Sequence, residues 1–284
     1  MILVTGATGT VGRTLVDHLL AAGAPVRATS RRPDRAALPA GVEVAHADLG
    51  VPESLPGAVR GVRQVFLLSD GPRLAEHDAN LARAAARAGV ESIVKLSSGR
   101  AGDPGATDPI AGWHRAGEAA VRDSGVAWTM LRPLGFMANA LAWAGSIRRE
   151  RTVHAPFAAG RAALIDPADI AAVAARVLTE PGHHGREYLL TGPQAHSPGE
   201  LVTILAEVLA LPLTYVAISP EVAREALLEH GLAPVMADAV MALRAASLED
   251  FGARVTPAVA QLTGRPATSF RSWATRNREA FLDG

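Results

Sequence analysis

The stretch Val4-Thr5-Gly6-Ala7-Thr8-Gly9-Thr10-Val11-Gly12 joins an apolar run, Ile2-Leu3-Val4, to a segment of helical spacing from Val11 to Ala22. Three glycines so placed leave few folds open. Gly6 lets the chain turn sharply off a strand. Gly9 removes a Cβ where backbone must approach a ligand, and Gly12 lets the helix lie close on a sheet. The helix N-terminus then offers free N–H groups and the positive end of its dipole, which suits phosphate. An ordinary Gly-rich turn would account for the glycines alone. A strand before, a helix after and a βαβ series beyond instead make Gly6, Thr8, Gly9, Thr10, Val11 and Gly12 a candidate dinucleotide site.

That series is readable from periodicity. Short β-like runs at Ile2 to Thr5, Pro25 to Ser30, Val42 to Ala47, Gln64 to Ser69, Ser92 to Ser97 and Ala127 to Leu131 alternate with helical stretches. The helices fall at Val11 to Ala22, about Pro72 to Ala88, and Trp113 to Ser124. Such alternation predicts an α/β protein with a Rossmann-type, doubly wound parallel sheet, helices on both faces. The later chain is less regular. A helix at Pro167 to Thr179 capped by Asp166, a strand at Glu187 to Leu190 and a helix at Pro198 to Leu209 precede helical segments from Pro220 to Ala246. Those segments are broken at Gly231 and Pro234, and a last helix runs from about Ser269 to Leu282. The expected division is 1–150 as the nucleotide-binding domain. The part 151–284 is then mainly a smaller substrate lobe and lid, some of its segments returning to the core. With 284 residues, 49% of them hydrophobic, the chain can bury a sizeable core.

The end of the second strand bears on the cofactor. An acidic residue there would bond the ribose 2′-hydroxyl of NAD. This chain reads Ser30-Arg31-Arg32 instead, and arginine forks suit a 2′-phosphate. NADP(H) is therefore expected, with NAD(H) still compatible. Asp48-Leu49, after the third strand, stands where an aspartate reaches the adenine, or where it caps a helix. Leu68-Ser69 ends the fourth strand, beside the expected nicotinamide ribose.

Composition excludes several alternatives. The formal net charge is zero, so nothing marks nucleic acid or an anionic membrane as a partner. Without cysteine there is no thiolate catalysis and no Cys-based metal site, and no metal is expected. No signal-peptide pattern and no long apolar run is present, so a cytoplasmic protein is expected. Of 28 basic side chains only Lys95 is a lysine, a bias shared with heavy Ala and Gly use.

On these motifs the chain resembles the NmrA-like group of atypical short-chain dehydrogenase/reductases. The opening glycine motif carries the resemblance, with Ala47-Asp48-Leu49, Val94-Lys95-Leu96-Ser97-Ser98 and His114-x-x-x-Glu118. So do Trp128-Thr129-Met130-Leu131-Arg132-Pro133, Phe136-Met137-x-Asn139, Asp166-Pro167-x-Asp169-Ile170 and Leu262-Thr263-Gly264-Arg265. The resemblance implies an NAD(P)-binding enzyme with a small lobe over the nicotinamide. It departs in one respect. Typical members use Tyr and Lys four apart on one helix face, and no Tyr-x-x-x-Lys exists here; His114 and Glu118 stand on the corresponding helix. Ser98 matches the usual serine position, Ser97 is its neighbour, and His114 could transfer a proton or simply pair with Glu118. Lys95 could be a buried counter-ion or touch the cofactor. Phe136, Met137, Phe157 and Met236 are candidate contacts for a bulky aromatic substrate, or core. The expected activity is NADPH-dependent reduction of an aromatic or quinone-like ketone whose own hydroxyl supplies the proton. Within the family the lost triad is similar to ketoreductases of polyketide antibiotic biosynthesis acting on angucyclinones. A quinone oxidoreductase and a non-catalytic NADP(H) redox sensor are the alternatives.

Overall fold

The computed structural model describes residues 1–282. Strand β1 (Ile2–Val4) leads through the glycine turn to helix α1 (Thr10–Ala21). Then come β2 (Val26–Ser30), β3 (Glu43–His46), α2 (Leu55–Val59), β4 (Gln64–Leu67), α3 (Leu74–Arg87), β5 (Ser92–Leu96), α4 (Pro109–Asp123) and β6 (Ala127–Pro133). The second half comprises α5 (Ala144–Glu150), β7 (Thr152–Ala155), α6 (Pro167–Thr179), β8 (Arg186–Leu190), α7 (Pro198–Leu209) and β9 (Thr214–Ala217). It ends with α8 (Pro220–Glu229), α9 (Pro234–Ala245), α10 (Ala258–Thr263), α11 (Phe270–Arg276) and α12 (Glu279–Leu282).

Seven strands form one parallel sheet in the order β3-β2-β1-β4-β5-β6-β8. Alternation along each strand feeds two cores. Ile2, Val4, Val26, Ala28, Phe66, Val94 and Leu131 face α1 and α6, while Leu3, Val65, Leu67, Ile93 and Met130 face α2, α3 and α4. A parallel sheet covered on both faces needs such continuous apolar strands, each buried Leu or Val contributing roughly 1.5–3 kcal/mol. The strand order reverses between β1 and β4, and the carboxyl edge at such a reversal is the standard binding position in these sheets.

A third core lies outside the sheet. Met137, Ala144, Ile147, Val153, Leu205 and Trp273 pack together there, under the two-stranded parallel pair β7–β9. That pair was not expected from the sequence: Thr152–Ala155 and Thr214–Ala217 are too short and too far apart for periodicity to link them. Residues 137–150 belong to this lobe core, ahead of the expected break at 150, whereas β8 returns to the main sheet.

Two boundaries also differ. α4 starts at Pro109 rather than Trp113, because Asp108 Oδ1 accepts the Ala111 N–H at 2.9 Å and Pro109 suits the first turn. The single C-terminal helix is two, α11 and α12. Asn277 Nδ2 bonds the Trp273 carbonyl at 2.8 Å and competes with the helical ladder there.

Candidate active site

The glycine turn has the geometry its sequence implies. Gly6 holds φ at 64°, a left-handed conformation that glycine adopts without cost. A Cβ on Gly12 would overlap the Gly6 carbonyl and stand 2.8 Å from Ala7 Cα, so only glycine lets α1 approach. Gly9 caps α1 without any side-chain bond, and the first turn carries no acidic residue. Thr8, Gly9 and Thr10 are exposed. The helix end is therefore an unopposed donor set, and the open face of Gly9 leaves room for a pyrophosphate. The residues present fit a dinucleotide. Arg31 and Arg32 follow β2 directly, both exposed, and among the described residues neither makes an ion pair.

The third-strand aspartate is held in a local turn. Asp48 Oδ1 accepts the Gly50 N–H at 2.8 Å, and its own N–H is bonded by Ser54 Oγ at 2.9 Å. It closes a local turn instead of capping a helix; the next helical turn begins after Val51. Leu49 offers its carbonyl to Asn80 Nδ2 at 2.9 Å, which ties this loop to α3.

Beneath the carboxyl ends of β4 and β5 lies a buried polar cluster that sequence reasoning only partly found. Lys95 and Asp78 are both fully buried, with Nζ and Oδ2 2.5 Å apart. Ser69 Oγ donates to Asp78 Oδ1 at 2.5 Å, so this hydroxyl points inward. Gly117 of α4 makes the space, since a Cβ there would overlap Asp78. Lys95 is thus a counter-ion to α3. Its signal in the sequence was a lone lysine inside an otherwise apolar strand.

Of the two roles open to His114, the pair with Glu118 is not formed. Glu118 is buried and turns to other partners. It accepts from Ser97 Oγ at 2.6 Å, from Arg132 Nε at 2.8 Å and Nη2 at 2.6 Å, and from Arg122 at 2.9 Å. Burial pushes its pKa up, but the Arg132 and Ser97 hydrogen bonds and the Arg132 charge outweigh that, and the carboxyl lies below its usual range. Glu187 bridges Arg122 and Arg132 from β8. The Ser97 hydroxyl proton is committed to this network. Ser98 is half-buried and accepts from the Arg100 N–H at 3.3 Å, leaving its own proton for another acceptor.

His114 is half-buried, and its Nδ1 is shielded from solvent without a partner. Burial, reinforced by the Lys95 charge and opposed by Glu118 and Asp108, lowers its pKa to about 3. It is neutral at pH 7.

The substrate-contact candidates divide. Phe136 is half-buried and bridges to Ile165. Phe157 is half-buried and holds φ at 56°, a strained value for a residue with a Cβ. Met236 is half-buried on α9. Met137 is 1% exposed in the lobe core, a correction to its expected role: a side chain without free surface has none to lend to a ligand. Among the described residues no cluster suits a metal ion, and no helix is long and apolar enough to cross a membrane.

A family model described as NAD(P)H-binding matches residues 6–181. The chain belongs to this NAD(P)H-binding family, the NmrA-like atypical short-chain dehydrogenase/reductases. It is an NAD(P)H-dependent oxidoreductase of that type. Within the family it is 44% identical to a (4-alkanoyl-5-oxo-2,5-dihydrofuran-3-yl)methyl phosphate reductase of Streptomyces griseus, over 99% of both chains. It is 39% identical to an NAD(P)H azoreductase of Xenophilus azovorans, again over 99% of both. Among solved structures it is similar to an NADPH-dependent quinone oxidoreductase of Escherichia coli in complex with NADPH. The TM-score is 0.87 at 30% identity, with 97% of this chain and 99% of that one covered.

Proposed function

We propose that this reductase delivers hydride from NADPH to an acceptor whose own conjugated system holds the resulting negative charge. The acceptor class comprises quinones, azo compounds, carbon–carbon double bonds conjugated to carbonyls, and ketones on phenolic or quinone-like rings. The single observation behind the reading is the absence of a charged or acidic proton donor where this fold's chemistry is done. His114 is neutral at pH 7, Glu118 is ionised and held by two arginines, and Lys95 is locked on Asp78. An isolated ketone would yield a localised alkoxide that needs a proton at once. A hydroquinone anion or an enolate does not, and an azo compound with an adjacent hydroxyl carries its own proton, so orientation and hydride supply suffice. The named activities of the 44% and 39% relatives and of the quinone reductase structure fit this acceptor class.

In this scheme the bound nicotinamide supplies the hydride. The Gly6–Gly12 turn and the α1 N-terminus would hold the pyrophosphate, and Arg31 and Arg32 the 2′-phosphate. Leu68 would lie beside the nicotinamide ribose. The Ser98 hydroxyl is the remaining protein donor for the acceptor oxygen, and Ser97, fixed by Glu118, positions it. Phe136, Phe157 and Met236 would offer apolar contact to a flat substrate.

NADPH consumption tests the reading on a quinone, an azo dye, an enone, a hydroxynaphthyl ketone and cyclohexanone. The conjugated acceptors should turn over and cyclohexanone should not. Methylating the phenol beside the ketone should slow reduction of that substrate without blocking its binding. Ser98→Ala and His114→Ala should each weaken turnover only modestly. Efficient reduction of cyclohexanone, or an inactive His114→Ala enzyme, would overturn the scheme.

A further inference from the structure

We infer that Arg100 is a positioning residue for Ser98, and that Glu249, from the segment after α9, holds it to that task. Ser98 opens the turn Gly99–Gly102, which closes through two amides. The Arg100 N–H donates to Ser98 Oγ at 3.3 Å, and the Ala101 N–H donates to the Ser98 carbonyl at 3.0 Å. The hydroxyl accepts from its own loop, which turns its proton away from that loop. The turn has little slack beneath it. A Cβ on Gly99 would stand 2.5 Å from Leu134 Cδ2 and 3.2 Å from the Pro133 carbonyl, so the chain lies directly on the end of β6.

Arg100 itself is buried, 5% exposed. Its Nε donates to Asp108 Oδ2 at 2.9 Å, and its Nη1 donates to Asp103 Oδ2 at 2.5 Å and to Glu249 Oε2 at 2.7 Å. The two aspartates are buried and lie only three and eight residues along the chain. They already balance the guanidinium. Asp108 also fixes it to the first turn of α4, because its other oxygen accepts the Ala111 N–H. Glu249 comes from 149 residues away. Its charge is surplus to neutralising Arg100; what it adds is a tie between the serine turn and the chain after α9. That chain is firmly seated. Phe251 packs with Leu134 and Ala163 in one small core, and the Gly252 carbonyl accepts the Ala163 N–H at 2.9 Å. Leu134 thus lies against Gly99 and also packs with Phe251, so an apolar contact runs beside the polar one and joins the same two segments. The Glu249 side chain is 53% exposed, so removing it leaves no buried charge unpaired.

The kinetic arm of the test rests on the proposed role of Ser98 as donor to the acceptor; the exchange arm does not. Glu249→Ala should lower kcat about threefold to tenfold, the scale of one hydrogen bond, with acceptor KM, NADPH affinity and Tm close to wild type. Ser98→Ala sets the ceiling of that loss, and Glu249→Ala should cost nothing more in the Ser98→Ala background. Glu249→Gln, whose amide oxygen still accepts from Nη1, should recover part of the rate. In the NADP+-bound protein, amide exchange at Arg100 and Ala101, followed by NMR, should quicken about tenfold in Glu249→Ala. It should stay unchanged in Asp238→Ala, which breaks the 2.6 Å bond from Arg224 between α8 and α9 but leaves Glu249 in place. Faster exchange beside a kinetically silent Ser98→Ala upholds the positioning by Arg100, and only the donor role of Ser98 fails. Four results would overturn the inference: unchanged exchange in Glu249→Ala, equal quickening in Asp238→Ala, a kcat loss that persists in the Ser98→Ala background, or full kcat in Glu249→Ala where Ser98→Ala is slowed.

Discussion

Replacing Lys95 with Met keeps nearly the same volume and removes only the charge, so it measures what the buried pair contributes. Asp78 would be left fully buried with the Ser69 hydroxyl at 2.5 Å as its remaining partner. Breaking a buried pair from one side typically costs about 3–5 kcal/mol. A ceiling follows independently, because the carboxyl can take up a proton instead. From an ordinary pKa of about 3.9 that costs about 4 kcal/mol at pH 7 and about 1.5 kcal/mol at pH 5, at roughly 1.36 kcal/mol per unit. The expected loss is therefore about 4 kcal/mol at pH 7, or roughly 8–16 °C in Tm for a chain of this size. It should shrink as pH falls, because the stranded carboxylate then protonates more cheaply. Urea unfolding of Lys95→Met at pH 7 and pH 5 measures both quantities, and Lys95→Met with Asp78→Asn should recover most of the loss. A deficit below about 1 kcal/mol, or one equal at both pH values, would refute the argument. So would a large loss of NADPH affinity with unchanged stability, which would place Lys95 on the cofactor.

Three further outcomes are expected. The double variant Arg31→Ala, Arg32→Ala should shrink the preference for NADPH over NADH in calorimetry; unchanged discrimination would move the 2′-phosphate site elsewhere. Tyr188→Phe and Tyr215→Phe should each keep most activity, since Tyr188 Oη pairs with His183 Nδ1 at 2.8 Å and Tyr215 Oη with the Ala155 carbonyl at 3.1 Å, both structural bonds. A hundredfold loss in kcat, the scale of a missing general acid, would contradict that. His114 has a native pKa of about 3, below its unfolded value. Its contribution to stability is thus complete above about pH 6.5 and is lost as pH falls toward 3, by up to roughly 1.4 kcal/mol per pH unit; His114→Gln should flatten that acid limb, and an unaltered limb would refute the shift.

The sheet was legible because its inner strands β1, β4, β5 and β6 are buried almost throughout and the long crossover helices α1, α3 and α4 are amphipathic, so period and order agreed there, while the five-residue helix α2 was too short to show a period. The glycine turn was legible because its three positions answer to backbone sterics, which act locally. What escaped was non-local. The β7–β9 pair joins short segments about sixty residues apart, and its apolar faces also read as loop or helix end. Asp78 looked like one more polar residue of α3, and only the packing of α3 on Gly117 shows that it lies inside. His114 and Glu118 share a helix face by spacing, but spacing cannot show that Arg132 and Ser97 reach Glu118 first.

The Glu118 network is one consequence of a helix that carries no Tyr-x-x-x-Lys pair. Here the corresponding helix presents a buried carboxylate, Glu118, and the surrounding charges answer it: Arg132 from β6, Arg122 from α4 itself, with Glu187 from β8 closing the set. This network crosses three elements and holds the β5 end rigidly through Ser97. Its groups are all mutually satisfied, so none is free to donate a proton during turnover. On the proposed scheme such a site keeps orientation and gives up acid catalysis, the proton demand passes to the substrate, and the acceptor's electronic structure, more than any single side chain, should decide what this enzyme reduces.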